Sequence, residues 1–476
     1  MTASTVKIII AAEVAKQKVE LGKMEVEVDE KLDERIHQAM QMAGKALYGI
    51  MLQAIDEGIQ EVVPETWANV GREKRQLVTS LGTMHYKRRV YRDESGKRRK
   101  LLDELIGLDR YGRYSLSIKQ KGSYLASELP YRKAAEVLSW MIGDYVSHSA
   151  IGRMMGQVGG SYVAQEESQQ EGIFEQGEER IEAGKVPAKV LYGESDGVWI
   201  SLQREEKHKT EVRVGILYTG KKTIGVGRKA LKNKVVVTKI VKDSQEWQET
   251  LLKTAYEHYD LSTTDQVMVG GDGNRWVRQS FDFLGLPQEF VLDRYHLYRE
   301  ARRAFGFTAQ TEKWIRQICQ EGLEAVLPEM LHTMSQAPSK AAQKMRKFIQ
   351  YLVNNRDGLL DPDCRSHLKT KVGNLGAIEG NVDKLVVRRL KGRGRSWSIQ
   401  GAKAMLAVCR HQKELRQNAF KPFSQPEDKP KRKYRTKPIR DDAEWMRVGV
   451  PALHLCHANR PWAIWLKEII HPEGVL

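Results

Sequence analysis

Cysteine is scarce in this chain, and its spacing excludes two common kinds of structure. The four cysteines among 476 residues are at least 45 positions apart. Disulfide scaffolds and zinc sites both need closely spaced pairs, so we expect four reduced thiols. Long hydrophobic runs are also missing, because residues 8–12 form only a short apolar run between Lys7 and Glu13. Since a membrane span needs ~18 apolar residues, the sequence predicts a cytoplasmic protein without a membrane segment.

A nucleotide-binding loop is missing as well. Gly271-Asp272-Gly273 follows a predicted strand, but no G-x-x-x-x-G-K-S/T pattern accompanies it, so we expect no nucleotide cofactor. Positive charge is abundant, because 78 Lys and Arg residues exceed 61 Asp and Glu residues by 17. Such a surplus favours an anionic partner, either a nucleic acid or a membrane surface.

The beginning of the chain is predicted to be helical. Residues 29–62 carry apolar side chains at near-helical intervals, and Pro64 ends the pattern. We therefore predict an N-terminal helical region, 1–70. This pattern fits one long amphipathic helix or a pair of helices, whose apolar face either packs on its own domain or mediates self-association.

A predicted basic hairpin opens the next region, 71–163. Positions 85–100 hold eight Lys or Arg residues and two acids. These cations either keep a sheet edge soluble or contact the phosphate backbone of DNA. The DNA-contact hypothesis names Lys87, Arg88 and Arg89.

Two predicted helices, 131–138 and 149–158, follow in the same region. Their hydrophobic pattern is similar to a helix-turn-helix, whose second helix enters the major groove of DNA. His148, Arg153 and Gln157 are the polar side chains that we expect to face DNA. Because the turn is longer than the standard one, a plain helical hairpin is the alternative.

Two segments have the composition of linkers. Residues 164–185 are rich in Gln, Glu and Gly and have no sustained apolar period, which suits a hinge between modules. Residues 421–440 combine eight Lys or Arg residues with two acids and four prolines. This second segment is either an extended basic linker lying along phosphates or a solvated tether, and a C-terminal segment, 441–476, follows it.

Acidic residues follow two predicted strands in the α/β-like stretch 186–298. Asp196 and Asp272 come at strand ends, where the ligands of open α/β sheets bind. Two carboxylates there could hold Mg²⁺, although an Asp before Gly also favours a turn or a helix N-cap. Glu194 projects from the same strand face as Asp196 and is a rival ligand.

A third acid, Glu379, falls on the apolar face of a predicted helix. Burying an unpaired carboxylate costs several kcal/mol, which coordination to a divalent ion would offset. The opposite face and the residues after it are basic and suit phosphate: Lys384, Arg388, Arg393 and Arg395. The alternative is a Glu favoured by the helix N-terminus beside a solvated basic face.

Together these motifs resemble those of the ISLre-type insertion-sequence transposases, which are relatives of the Mutator-like DDE group. The likeness covers most of the chain and is clearest over about 186–410. The motifs that carry it are Tyr192-Gly193-Glu194-Ser195-Asp196-Gly197-Val198-Trp199, Gly270-Gly271-Asp272-Gly273-Asn274, Leu292-Asp293-Arg294-Tyr295-His296, Glu379-Gly380-Asn381-Val382 and Arg393-Gly394-Arg395-Ser396-Trp397-Ser398.

The resemblance implies an α/β ribonuclease H-like catalytic domain with an all-α insertion, preceded by a mainly α DNA-binding region. The catalytic domain would comprise 186–298 and 372–420, and the insertion would comprise 299–371. The resemblance also implies that Asp196, Asp272 and Glu379 hold Mg²⁺ or Mn²⁺, with two ions expected.

The resemblance further assigns Asp293 and His296 to a D-x-x-H signature. His296 would contact the scissile phosphate or anchor a substrate strand. The alternative is a structural hydrogen bond between these two side chains.

The implied function is that of a bacterial DDE transposase, which binds terminal inverted repeats and catalyses Mg²⁺-dependent DNA cleavage and strand transfer. The expected partner is double-stranded DNA, from the element ends and the target, and the protein would form a homo-oligomer on DNA. It would work in the bacterial cytoplasm and associate with the nucleoid when bound. The alternative is a catalytically inactive DNA-binding regulator derived from a transposase. A glycosidase, which also uses paired carboxylates, has no need of so high a positive charge.

Overall fold

A computed structural model describes residues 5–14, 17–27, 31–177, 182–226, 228–366, 368, 375–392 and 394–419. The first elements are an antiparallel pair of strands, β1 (Thr5–Val14) and β2 (Gln17–Glu27). The helix α1 (Leu32–Val62) follows, as its apolar periodicity predicts. The prediction of a purely helical region 1–70 is therefore wrong for the residues before α1. Residues 23–27 alternate charged and apolar side chains at a period of two, which favours a strand.

A second antiparallel sheet packs against α1. It consists of β3 (Ala68–Thr79), β4 (Gly82–Arg92) and β5 (Arg98–Arg99). The short helix α2 (Leu101–Leu105) follows and supplies Asp103 to the interior. The Tyr86 hydroxyl donates to this buried carboxylate at 2.6 Å.

Three helices lead from this sheet to the middle of the chain: α3 (Leu116–Glu128), α4 (Tyr131–Ile142) and α5 (His148–Phe174). The predicted linker 164–185 therefore begins inside α5. Its Gln and Glu residues are good helix formers, and their side chains bind neighbouring elements. The Gln170 side chain, for example, donates to Glu249 at 3.2 Å.

A five-stranded mixed sheet forms the centre of the molecule. Its order is β11-β8-β7-β13-β14, from β7 (Val190–Ser201), β8 (Lys209–Tyr218), β11 (Val235–Lys239), β13 (Gln266–Gly271) and β14 (Gln288–Leu292). The strands β11, β8 and β7 are antiparallel neighbours, whereas β7, β13 and β14 run parallel. Smaller elements lie between them: β6 (Val186–Pro187), β9 (Gly220–Gly225), β10 (Arg228–Lys232), α6 (Ser244–His258), β12 (Tyr259–Asp260) and α7 (Arg275–Arg278).

A helical segment follows β14 and has a hydrophobic core of its own. It contains α8 (Arg294–Phe305), α9 (Ala309–Glu321), α10 (Leu327–Ser335) and α11 (Ser339–Asn354). Leu297, Trp314 and Leu352 are among the side chains in that core. The helical insertion predicted for 299–371 overlaps these four helices, although α8 already begins at Arg294.

The last described elements return to the central sheet. They are α12 (Ile378–Val382), a π-helical turn (Asp383–Val387), α13 (Arg388–Leu390), α14 (Ile399–Arg410) and α15 (Gln412–Ala419). The helices α5 and α14 approach closely at Gly159, where an added Cβ would lie 2.3 Å from the Ala404 carbonyl oxygen. None of the described helices combines the length and the apolar character that crossing a bilayer requires. Residues 421–440 and 441–476 lie outside the described residues.

Candidate active site

Three aspartates line the edge of the central sheet where its parallel strands β13 and β14 end. The pairing of Gly270 with Glu194 and of Gly271 with Leu292 fixes the register of β13 between β7 and β14. Continuing that register places Asp272 opposite Asp196 on one side and opposite Asp293 on the other. Because neighbouring strands lie ~4.8 Å apart, these acids are side by side.

Two carboxylates and one imidazole converge at this edge. One side-chain oxygen or nitrogen from each of Asp196, His296 and Glu379 lies within 4.8 Å of the others. Asp196 and His296 are buried, and Glu379 is partly buried on α12. Asp196 lies inside β7, which runs on to Ser201, so only Asp272 follows the end of its strand as predicted. Two carboxylates at this separation could share one divalent cation with water or phosphate oxygens.

Asp272 is not a member of this converging group. Its carboxylate accepts hydrogen bonds from the backbone N–H of Asn274 at 3.0 Å and from the Asn274 side chain at 2.6 Å. Its carbonyl oxygen accepts the Tyr351 hydroxyl of α11 at 2.9 Å. Gly273 makes this turn possible, because its φ of +88° and a Cβ contact of 2.3 Å with the Asn355 side chain would both disfavour any other residue.

The electrostatics of the cluster centre on Asp196. Burial, with a smaller contribution from the nearby charges of Asp272 and Glu379, raises the pKa of its carboxyl from 3.8 to about 6. His296 and the Gly197 N–H, which donates to Asp196 at 2.8 Å, act in the opposite direction. A cation between the acids would reverse the shift, because an adjacent positive charge favours the ionised carboxylate. The perturbed pKa is typical of a functional site.

His296 is held by Arg299 and not by Asp293. The Arg299 guanidinium donates to His296 Nδ1 at 3.1 Å, so a neutral imidazole carries its proton on Nε2. A protonated nitrogen can donate to a carboxylate or phosphate oxygen but cannot bind a metal. Asp293 instead caps α8, because its Oδ1 accepts the Tyr295 N–H at 2.6 Å. The alternative of a structural bond between Asp293 and His296 is therefore not what the structure has.

Glu194, the rival ligand, has both carboxylate oxygens occupied inside the protein. Oε2 accepts the N–H groups of Gly376, Ala377 and Ile378 at 3.0, 2.8 and 3.1 Å. Oε1 accepts the Tyr218 hydroxyl at 2.7 Å, and the side chain is almost fully buried. Burial raises the pKa of Glu194, while these hydrogen bonds oppose the rise. The geometry thus favours Asp196 as the first ligand. Glu194 instead binds the backbone N–H groups at the beginning of α12, the helix that carries Glu379.

Comparison with known proteins places the chain in a family. The model of an uncharacterised protein family, UPF0236, matches residues 23–418. The chain belongs to the UPF0236 family. It is 27% identical over 417 residues to a UPF0236 protein of Streptococcus gallolyticus, with 83% of this chain and 85% of the relative covered. It is 23% identical over 381 residues to a UPF0236 protein of Caldanaerobacter subterraneus subsp. tengcongensis, with 78% of this chain and 75% of the relative covered.

This membership corrects the family assignment made from the sequence motifs. The resemblance to ISLre-type transposases is wrong as a statement of family, because the matching family is UPF0236 and the relatives are named only as UPF0236 proteins. Short acidic motifs at strand ends are few and individually weak. They indicate a kind of site more reliably than they indicate a family.

The basic hairpin of this UPF0236 protein is less available to a ligand than its sequence suggests. Arg88 is buried and paired with Asp103, and Arg89 is buried and paired with Asp56 at 2.6 Å. The structure contradicts the prediction that these two arginines contact DNA, since their charges are neutralised inside the domain. Lys87 is exposed.

The predicted DNA-reading helix is the start of α5. His148, Arg153 and Gln157 are all exposed there. The Gln157 side chain donates to Asp109 at 2.8 Å, so it has an intramolecular partner. Five residues, 143–147, join α4 to α5, and α5 is 27 residues long. The pair is thus longer than a standard helix-turn-helix.

The predicted basic stripe after Glu379 is only partly available to a ligand, because some of its cations have partners within the chain. Lys384 is exposed, and Arg388 pairs with Asp383 at 2.8 Å. Arg395 donates to the carbonyl oxygens of Arg388 and Arg389 at 2.6 and 3.0 Å, so it braces the chain after α13. Arg393 lies outside the described residues.

Several side chains of the site were not predicted from the sequence. Tyr218 and Arg299 act through Glu194 and His296, and Tyr351 holds the Asp272 turn. Glu211 on β8 is a further half-buried acid near Asp272; burial raises its pKa and Arg213 lowers it. Tyr218 and Glu211 face opposite sides of the sheet on β8, so strand alternation does not group them, and no local pattern marks their partners.

Proposed function

We propose that this UPF0236 protein is a metal-dependent enzyme that cleaves DNA strands and joins them to target DNA, which is the activity of a transposase. The observation that carries the proposal is the convergence of Asp196, His296 and Glu379 at the sheet edge, with Asp272 beside them. Asp196 is buried beside two other acids and its pKa is raised, so a cation is needed to stabilise its ionised form there. Metal-assisted phosphoryl transfer uses such a site.

We propose a ribonuclease H-like fold for the catalytic domain. Support comes from the order β11-β8-β7-β13-β14, with three antiparallel strands followed by two parallel additions. The positions of the three acids agree with this fold. Asp196 lies on β7, the first of these strands in the chain, and Asp272 follows β13, the fourth. Glu379 lies on α12, which comes after all five strands. The helical insertion lies between the second and third acids.

The residues fit a divalent metal. Asp196 and Glu379, with Asp272 from the adjacent strand, are the carboxylates that would hold Mg²⁺ or Mn²⁺, and two ions are proposed. Oxygen ligands of this kind suit both metals. When bound, such ions activate a water or a 3′ hydroxyl and stabilise the leaving oxygen.

The chain's own groups would orient and charge-match the reacting phosphate. His296 would donate Nε2–H to a phosphate oxygen, with Arg299 fixing the ring. Glu194 would hold the α12 carboxylate in place through three backbone N–H groups. Nothing in this set of residues requires a nucleotide cofactor or a covalent enzyme intermediate.

DNA is the proposed partner. The net charge of +17 supports a polyanionic ligand, and the exposed Lys87, Arg153 and Lys384 offer phosphate contacts. We propose that the protein binds double-stranded DNA of its own element ends and of the target, forms a homo-oligomer there, and works in the cytoplasm at the nucleoid. The printed name of the Caldanaerobacter relative contains eleven separate designations from that one organism. A gene that can move is expected to be present in many copies.

The test uses a supercoiled plasmid that carries the gene with its chromosomal flanks. Wild-type protein with Mg²⁺ or Mn²⁺ should nick or excise at the flanks, and EDTA should stop the reaction. Asp196→Asn and Glu379→Gln should each lower the cleavage rate by roughly 10³-fold or more while DNA binding persists. DNA binding without cleavage under any metal would instead favour a catalytically inactive DNA-binding regulator. Cleavage by both variants at the wild-type rate would overturn the proposed site.

A further inference from the structure

A cleft of about 550 Å³ opens beside the acid cluster, between α8 and α11 of the helical insertion. Asp272 and His296 lie at one end of it. Arg299 and Arg303 line one wall from α8, and Lys344 and Lys347 line the other from α11. The cleft is thus acidic where it meets the candidate active site and basic along its length.

Among the described residues, the cations of one wall already have a carboxylate partner, whereas those of the other wall do not. On α8, Glu300 accepts hydrogen bonds from Arg299 at 3.0 Å and from Arg303 at 2.8 Å. On α11, Lys344 and Lys347 are exposed, and neither has a carboxylate partner within the part of the chain that the structure describes. They are three positions apart, so they lie on the same helix face. Their ammonium groups are available to a ligand.

The position of these lysines limits the ligand. A small cation would match the acids but not the basic walls, and a small anion would match the walls but not the acids. A chain of phosphates satisfies both ends, because one phosphate lies at the metal-binding acids and the next ones lie along the basic walls. The two lysines share the cleft with Tyr351, which holds the turn at Asp272.

We propose that this cleft binds the nucleic-acid strand on one side of the reacting phosphate, with Lys344 and Lys347 each contacting a backbone phosphate. The inference rests on the proposed function, since it extends the same site. Lys344 and Lys347 bind the strand without touching the reacting atoms. They determine how well the strand is held and do not affect metal binding.

The test compares two double variants of the full-length protein. Lys344→Gln with Lys347→Gln removes the cleft lysines. Lys313→Gln with Arg346→Gln is the matched control, because these exposed cations lie on α9 and α11 outside the cleft. Binding of a fluorescent oligothymidylate of about 20 nucleotides is measured in Ca²⁺ at several salt concentrations. Mn²⁺ binding and thermal unfolding of each variant are measured alongside.

The cleft variant should bind roughly 10-fold more weakly at low salt, and its plot of log affinity against log salt should be shallower by about 1.4, because two phosphates of a single strand are no longer neutralised. The control should change affinity less than about twofold, and Mn²⁺ binding should be unchanged in both. If the cleft variant matches the control while wild-type protein binds and cleaves DNA, the cleft proposal fails and the proposed function stands. If wild-type protein neither binds the oligonucleotide nor cleaves DNA with any metal, the proposed function fails and the cleft proposal fails with it.

Discussion

At the residue scale, the dominant feature is Asp196, a buried acid whose ionised form is disfavoured by its surroundings. Asp196 lies in the protein with its pKa raised to about 6, against 3.8 for the free side chain. The folded protein therefore holds its proton more tightly than the unfolded chain does. Without metal, the contribution of Asp196 to stability is full below about pH 4 and is lost as pH rises through about 6.

Asp196→Asn should stabilise the metal-free protein at pH 7.5. The substitution removes the cost of a buried charge, which for this shift is about 3 kcal/mol at most. The gain in unfolding temperature should shrink as the pH falls and vanish near pH 4. Thermal unfolding in EDTA between pH 4 and 8 measures it, with the exposed Asp265→Asn as the control. A destabilised Asp196→Asn protein at pH 7.5 would contradict the argument.

Glu194 supports the second prediction at this scale. Glu194→Gln keeps the shape of the side chain but weakens its grip on the three N–H groups before Glu379, because a neutral oxygen is a poorer acceptor than a carboxylate. We expect a folded protein whose Mn²⁺ affinity is roughly 10-fold lower, as for other supporting residues around metal ligands. Calorimetric titration with Mn²⁺ measures the effect. Tyr218→Phe leaves the three N–H hydrogen bonds intact, so its Mn²⁺ affinity should fall less than that of Glu194→Gln.

The sequence allowed the three acids of the site to be proposed, but it could not separate Glu194 from Asp196. Residues two apart on a strand share a face, so only the tertiary partners of each carboxylate distinguish them. The same limit explains Arg88 and Arg89. A count of cations along a strand does not reveal that Asp103 and Asp56, supplied by two different helices, lie beside them in the interior.

At the scale of elements, the close approach of α5 and α14 depends on one missing side chain. Gly159→Ala should destabilise the protein by about 1–3 kcal/mol, because its Cβ would lie 2.3 Å from the Ala404 oxygen and the helices would have to separate. Gly160→Ala is the matched control, since nothing lies within 4 Å of an added Cβ there. It should be neutral or stabilising by up to about 1 kcal/mol, through helix propensity alone. Urea unfolding measures the free energy of unfolding of both variants. A Gly160→Ala protein less stable than the Gly159→Ala protein would contradict the packing argument.

Periodicity predicted α1 and the beginnings of α4 and α5. It failed for residues 164–174, which continue α5. A segment rich in Gln and Glu has no apolar stripe of its own, yet its residues favour a helix and bind α6 and α14 through side chains such as Glu166 with Arg410. Such tertiary partners cannot be read from local composition.

At the scale of the whole molecule, the positive charge surplus should make nucleic-acid binding steeply dependent on salt. Changing the Lys and Arg residues of 421–440 to Gln should lower DNA affinity and reduce the salt dependence by about 0.9 for each duplex phosphate that this segment neutralises in the wild-type protein. Mn²⁺ binding should stay unchanged, because the acids of the site lie elsewhere in the chain. Unchanged salt dependence would assign this segment to a solvated tether.

The anchoring of Glu379 has a consequence for how such a protein can diversify. Its helix is tied to Glu194, on the same strand that carries Asp196, so the first and last acids share one mechanical support. The long helical excursion between Asp272 and Glu379 need not be rigid to bring them together. Descendants of this chain could lengthen, trim or exchange that excursion while the acids of the central sheet keep their positions.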